Sequence, residues 1–77
     1  MEKKLTLRYD RIGDILYLDS VLPYAEQQSE EIEDGIVVRL NPKTNAIETL
    51  ELQFFSARVL DDGMLELPVT SGFKLAV

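Results

Sequence analysis

Tyr9-Asp10-Arg11-Ile12-Gly13-Asp14-Ile15-Leu16-Tyr17-Leu18 decides how this chain is read. Upstream of it, Leu5, Leu7 and Tyr9 alternate with Lys4, Thr6 and Arg8, the two-residue period of a half-buried strand. Asp10 to Asp14 places a glycine between two acids. Gly13 tolerates unusual backbone angles and Asp10 can accept from amides just ahead of it, so a short hairpin loop is expected. A second strand then runs from Ile15 to Val21. Its first four residues are apolar on both faces, the pattern of a strand covered on both sides.

Pro23 ends that strand, because it lacks the donor a central strand needs. Glu26 to Asp34 carries five acids and no base. A helix there would have only Ile32 to bury, so an exposed edge strand guarded by charge is the better expectation. Asp34-Gly35 is a turn signal before Ile36-Val37-Val38-Arg39-Leu40, a β-branched strand. Asn41 to Asn45 is another turn, and Ala46 to Phe54 another strand. Ser56 is expected to cap a short helix over 57–62 that stops at Gly63, with Phe55 and Val59 facing the sheet. Met64 to Leu67 and Phe73 to Val77 read as further short strands. The expected architecture is therefore mainly β (α+β): an antiparallel β-meander sheet with one short helix near the C-terminus, one domain over 1–77.

The 77 residues suit one domain. A domain this small has a marginal core and often relies on disulfides, a metal or oligomerisation. The chain has no cysteine and no histidine, so disulfides are excluded and zinc, haem and iron–sulfur sites lose their usual ligands. No cofactor and no metal is expected. The same absence removes the commonest acid–base and thiol machinery, and Ser20, Ser29, Ser56 and Ser71 have no histidine to activate them. No catalytic residue is assigned. A net charge of −6, with eight scattered bases, opposes nucleic acid and membrane binding and would attract a basic partner. No apolar run fits a transmembrane helix or a signal core, and a cytoplasmic location is the expectation.

The order of signals resembles the small bacterial and archaeal proteins of the "domain of unknown function 2283" family. Arg8-Tyr9-Asp10, then Asp14-Ile15-Leu16-Tyr17-Leu18, Asp34-Gly35-Ile36-Val37-Val38 and Ile47-Glu48-Thr49-Leu50-Glu51-Leu52 carry the resemblance, over residues 5–60. It implies a compact antiparallel meander followed by a short helix, and no established activity. Tyr9, Asp10, Asp14, Leu16 and Tyr17 would be its signature, in a structural role. Phe54 and Phe55 depart from the small or acidic residues usual there, and 61–77 extends past the usual end.

Two function classes follow. The first is a non-catalytic interaction module, for example an acidic antitoxin-like or regulatory protein. It would dock a basic partner through Glu26, Glu30, Glu31, Glu33 and Asp34. The alternative is a small enzyme or ligand-binding protein using the carboxylates Asp10 and Asp14, against which stands their ordinary role in turns. A homodimer is also expected, since one helix covers only one sheet face and the C-terminal residues are apolar. Leu16, Leu18, Leu75 and Val77 are its candidate contacts, with the tail from Met64 to Val77 either folding back or exchanging between subunits.

Overall fold

A computed structural model describes residues 4–70 and 75–76. Five strands and one helix follow in order: β1 Thr6–Asp10, β2 Ile15–Asp19, β3 Gln28–Glu33, β4 Ile36–Leu40, β5 Ile47–Gln53 and α1 Phe55–Asp62. All pairings are antiparallel, in the order β1-β2-β5-β4-β3. The sheet is thus a hairpin (β1–β2) and a three-stranded meander (β3–β4–β5) joined by pairing β2 with β5. The expected mainly-β, meander-like sheet with a short C-terminal helix is present.

Paired residues share a face, so the register sorts the side chains. One face carries Leu7 and Tyr9 of β1, Leu16 and Leu18 of β2, Leu50 and Leu52 of β5, and Ile36 and Val38 of β4. The buried apolar residues among those described, Ile36, Val38 and Leu52, all lie here. Helix α1 meets this face at β1, with the Phe55 ring edge-on to Tyr9 at 5.9 Å. Leu67 and Val69 of the following segment line a groove together with Leu18 and Leu50.

The other face is polar, against the expectation of apolar cover on both sides of β2. Arg8, Tyr17, Glu51 and Val37 form one row across the strands; Thr6, Asp19, Thr49 and Arg39 form the next. Diagonal ion pairs tie the rows: Arg8 Nε lies 2.5 Å from Asp19 Oδ2, and Arg39 Nε lies 2.6 Å from Glu51 Oε1. The Arg8 guanidinium also sits 4.4 Å from the centre of the Tyr17 ring, a cation–π arrangement. The long Arg8 side chain reaches over Asp19, which is 1% exposed. This face needs no apolar cover.

Three further expectations are corrected. Ser56 is not the helix cap, because α1 begins one residue before it, at Phe55. Phe54 occupies the cap position with φ 56° and supplies no side-chain bond. Met64 to Leu67 forms no strand. Of the strand expected over 73–77, only Leu75 and Ala76 fall among the described residues, and neither is in a strand.

Candidate functional site

Tyr9 and Asp14 of the β1–β2 hairpin meet at the start of the helix. Asp10 Oδ1 accepts from the Ile12 and Gly13 amides at 3.0 and 3.2 Å, closing the β1–β2 turn. Asp14, at φ 55°, ends that turn and turns its carboxylate to α1. Its Oδ1 accepts from the Tyr9 hydroxyl at 2.6 Å and from the Ser56 amide at 3.0 Å; its Oδ2 accepts from the Ser56 hydroxyl at 2.7 Å. The Phe55 amide donates to the Asp14 carbonyl at 3.0 Å. Asp14 therefore does what a helix-capping side chain does, from a different hairpin. Donation from Tyr9 and Ser56 holds its carboxyl below the usual carboxylate range, and the same bond pushes the Tyr9 hydroxyl up. Asp10 and Asp14 are both occupied in organising the turn and the helix start. Leu16 is half-buried on the helix side and Tyr17 half-buried under Arg8.

A depressed folded pKa means the unfolded chain binds the proton more tightly. The contribution of Asp14 is present above its ordinary value of 3.8 and lost as pH falls through the lower folded value. Asp14→Asn should therefore melt below the native chain at pH near neutrality, with the gap closing on acidification towards the folded pKa. Thermal melts of both proteins across that range check this, and a gap independent of pH would contradict it.

Glu48 organises the opposite end. The 20–27 connection, which carries the chain from β2 to the far edge, passes over it. Tyr24 Oη and Gln27 Nε2 donate to Glu48 Oε1 at 2.7 and 3.0 Å, and Asn41 Nδ2 donates to Oε2 at 3.2 Å. The Tyr24 hydroxyl is pushed up to about 12 by donation to this carboxylate. Thr49 Oγ1 lies 3.1 Å from Asp19 Oδ1 and 3.2 Å from the Val21 carbonyl, so its single proton is shared between two acceptors.

The acidic residues lie on and beside β3, the sheet's last strand. Glu26, Glu30, Glu31, Glu33 and Asp34 are all exposed. Glu31 is partly committed, since its Oε2 accepts from the Gly35 amide at 3.1 Å within the β3–β4 turn. The register shifts between Glu31 and Glu33, so this edge is bulged. Among the described residues the ion pairs are Arg8–Asp19 and Arg39–Glu51, which leaves the β3 acids turned to solvent. No group of three or more carboxylates among the described residues is placed to hold a metal ion. Nor is any helix among them long and apolar enough to cross a membrane.

At the other end of the sheet order, β1 is exposed along its whole length. Leu5, Leu18, Ile47, Leu50, Leu67 and Val69 line a groove of about 280 Å³ beside it. Of the candidate dimer contacts, Leu16 and Leu18 are half-buried beneath the cover on the helix side, Leu75 is 84% exposed, and Val77 lies outside the described residues. Sequence reasoning gave Ser56 the capping role that Asp14 fills, and it missed Arg8, Arg39, Glu48 and Arg58 as organising residues. Each acts on a partner in another element, and only the alternation of charge on β1, β4 and β5 hinted at the ion pairs.

No family model, no curated protein and no solved structure matches this chain.

Proposed function

We propose that this protein is a non-catalytic interaction module whose acidic β3 edge docks a basic protein. The supporting observation is the division of charge over the sheet. The arginines of the sheet interior are spent on Asp19 and Glu51, while Glu26, Glu30, Glu33 and Asp34 stand exposed around a free edge. Such an edge steers a basic surface by long-range attraction and rejects acidic ones. Its bulge and its charges disfavour addition of another strand, so the partner is met by side chains. Kinship with the "domain of unknown function 2283" family belongs to the same proposal. It rests on Tyr9, Asp10, Asp14, Leu16 and Tyr17, of which Tyr9, Asp10 and Asp14 organise the turn and its contact with the helix.

The test compares the native chain with a triple variant, Glu26→Gln, Glu30→Gln and Glu33→Gln, which spares the turn bond of Glu31. Binding of a lysine- and arginine-rich polypeptide is measured over a salt series. The native chain should bind more than about tenfold tighter at low salt, and the advantage should vanish at high salt as screening shortens the reach of the charges. Equal binding by the triple variant would remove the β3 edge from the interaction.

A further inference from the structure

The two edges of this sheet are built in opposite ways. β3 is bulged and glutamate-rich, which guards it against pairing. β1 has no proline and no bulge, and it pairs with β2 in unbroken register from Thr6 to Asp10. Among the described residues, no strand lies beside its outer edge. Three apolar side chains stand exposed along it on one face: Leu5 at 48%, Leu7 at 62% and Tyr9 at 46%.

We infer that β1 is the docking edge for a second copy of this chain, joined antiparallel about a two-fold axis through Leu7. The sequence of the strand is complementary to itself in that register. Residues whose numbers sum to fourteen face each other, so Leu7 meets its own copy, Leu5 meets Tyr9, Thr6 meets Arg8, and Lys4 meets Asp10. Each unlike pair occurs twice. The apolar pairs fall on the helix-bearing face and extend the row of Leu16, Leu18, Leu50 and Leu52 across the axis. Lys4 and Asp10 fall on the polar face, opposite in sign and directly opposed, the arrangement that stabilises cross-strand neighbours.

Symmetry restricts the alternatives. A two-fold pairing of identical antiparallel strands runs perpendicular to the sheet, so the register changes only in steps that keep each residue on its own face. Centring on Thr6 sets Lys4 against Arg8. Centring on Arg8 sets that arginine against its copy. Both oppose like charges, which costs stability. Of these three registers, only the one centred on Leu7 opposes no like charges over residues 4–10, and it sets Lys4 against Asp10. Leu16 and Leu18 stay beneath the sheet's own cover in this assembly, so the contact moves from the face of the sheet to its edge. The inference stands independently of the basic partner proposed above, because β1 and β3 lie at opposite ends of the sheet.

The chain has no cysteine, so a single introduced thiol reports register without ambiguity. Directly opposed residues lie about 4.5–5.5 Å apart between Cα atoms, within the span of a disulfide. Residues two positions out of register are about 7–8 Å apart and are not. Sedimentation of the native chain at tens of micromolar should report twice the chain mass. Leu7→Cys should oxidise to a covalent dimer, while Leu5→Cys and Thr6→Cys remain single chains. Lys4→Glu, at an exposed position before the strand, should raise the dissociation constant about tenfold by opposing Asp10 with a like charge. A native chain that sediments as a monomer overturns the inference. So does cross-linking of Thr6→Cys as ready as that of Leu7→Cys, or a dimer indifferent to Lys4→Glu.

Discussion

Arg8→Met is expected to lower the stability of the native chain by about 2–3 kcal/mol, although Arg8 is a partly exposed residue on an edge strand. The reason lies in its partner. Asp19 is 1% exposed and receives Arg8 Nε at 2.5 Å, Arg8 Nη2 at 3.3 Å and the Thr49 hydroxyl at 3.1 Å. Methionine retains much of the apolar stem that roofs the site and removes both charged donors. Asp19 is left with one donor, and a buried carboxylate that loses its counter-ion costs roughly 3–5 kcal/mol. The smaller figure applies because Arg8 is 42% exposed, so water enters where the guanidinium stood and restores part of the solvation. Adding Asp19→Asn should recover much of the loss, since no charge is then stranded. Denaturant unfolding of the native chain, both single variants and the double variant gives the coupling. If the two effects simply add, the ion pair is not what holds this corner of the sheet.

The apolar half of this sheet was legible in the sequence because strand periodicity is a local signal. Leu16, Leu18, Leu50 and Leu52 announce a covered face within their own strands. The acidic edge was legible for the same reason, since Glu26 to Asp34 has nothing to bury but Ile32. The polar face was not. Arg8 and Asp19 are eleven residues apart, and their pairing requires the register of β1 on β2 before it can be seen. Tyr17 looked like half of a second apolar face, but the guanidinium above it makes that face self-sufficient. Capping of the helix by Asp14 spans 42 residues, and a serine beside a helix start is a stronger local signal than a distant aspartate. The bonds of Glu48 to Tyr24 and Gln27 likewise span 24 and 21 residues, out of reach of any local pattern.

Gly35→Ala is expected to cost about 2–4 kcal/mol, and Gly63→Ala only about 1 kcal/mol, although both glycines hold left-handed backbone angles. At Gly63 (φ 71°) an added methyl group meets nothing within 4 Å, so the penalty is that of the backbone alone. At Gly35 (φ 78°) the methyl group would collide with the Arg58 guanidinium. That guanidinium is not free to swing away without loss. Arg58 Nε donates to the Gln53 carbonyl at 2.7 Å and Nη2 to the Asp34 carbonyl at 2.6 Å. It thereby fastens α1 to the end of β5 and to the β3–β4 turn. Displacing it gives up charge-assisted bonds worth about 1.5–3 kcal/mol each when made, partly recovered by water at this half-exposed site. The two contributions separate in a double-mutant cycle. In an Arg58→Ala background the collision is gone, and Gly35→Ala should then cost no more than Gly63→Ala. Denaturant midpoints for the four proteins measure this directly. A full penalty at Gly35 that persists without Arg58 would place the strain in the turn itself rather than in the clamp that crosses it.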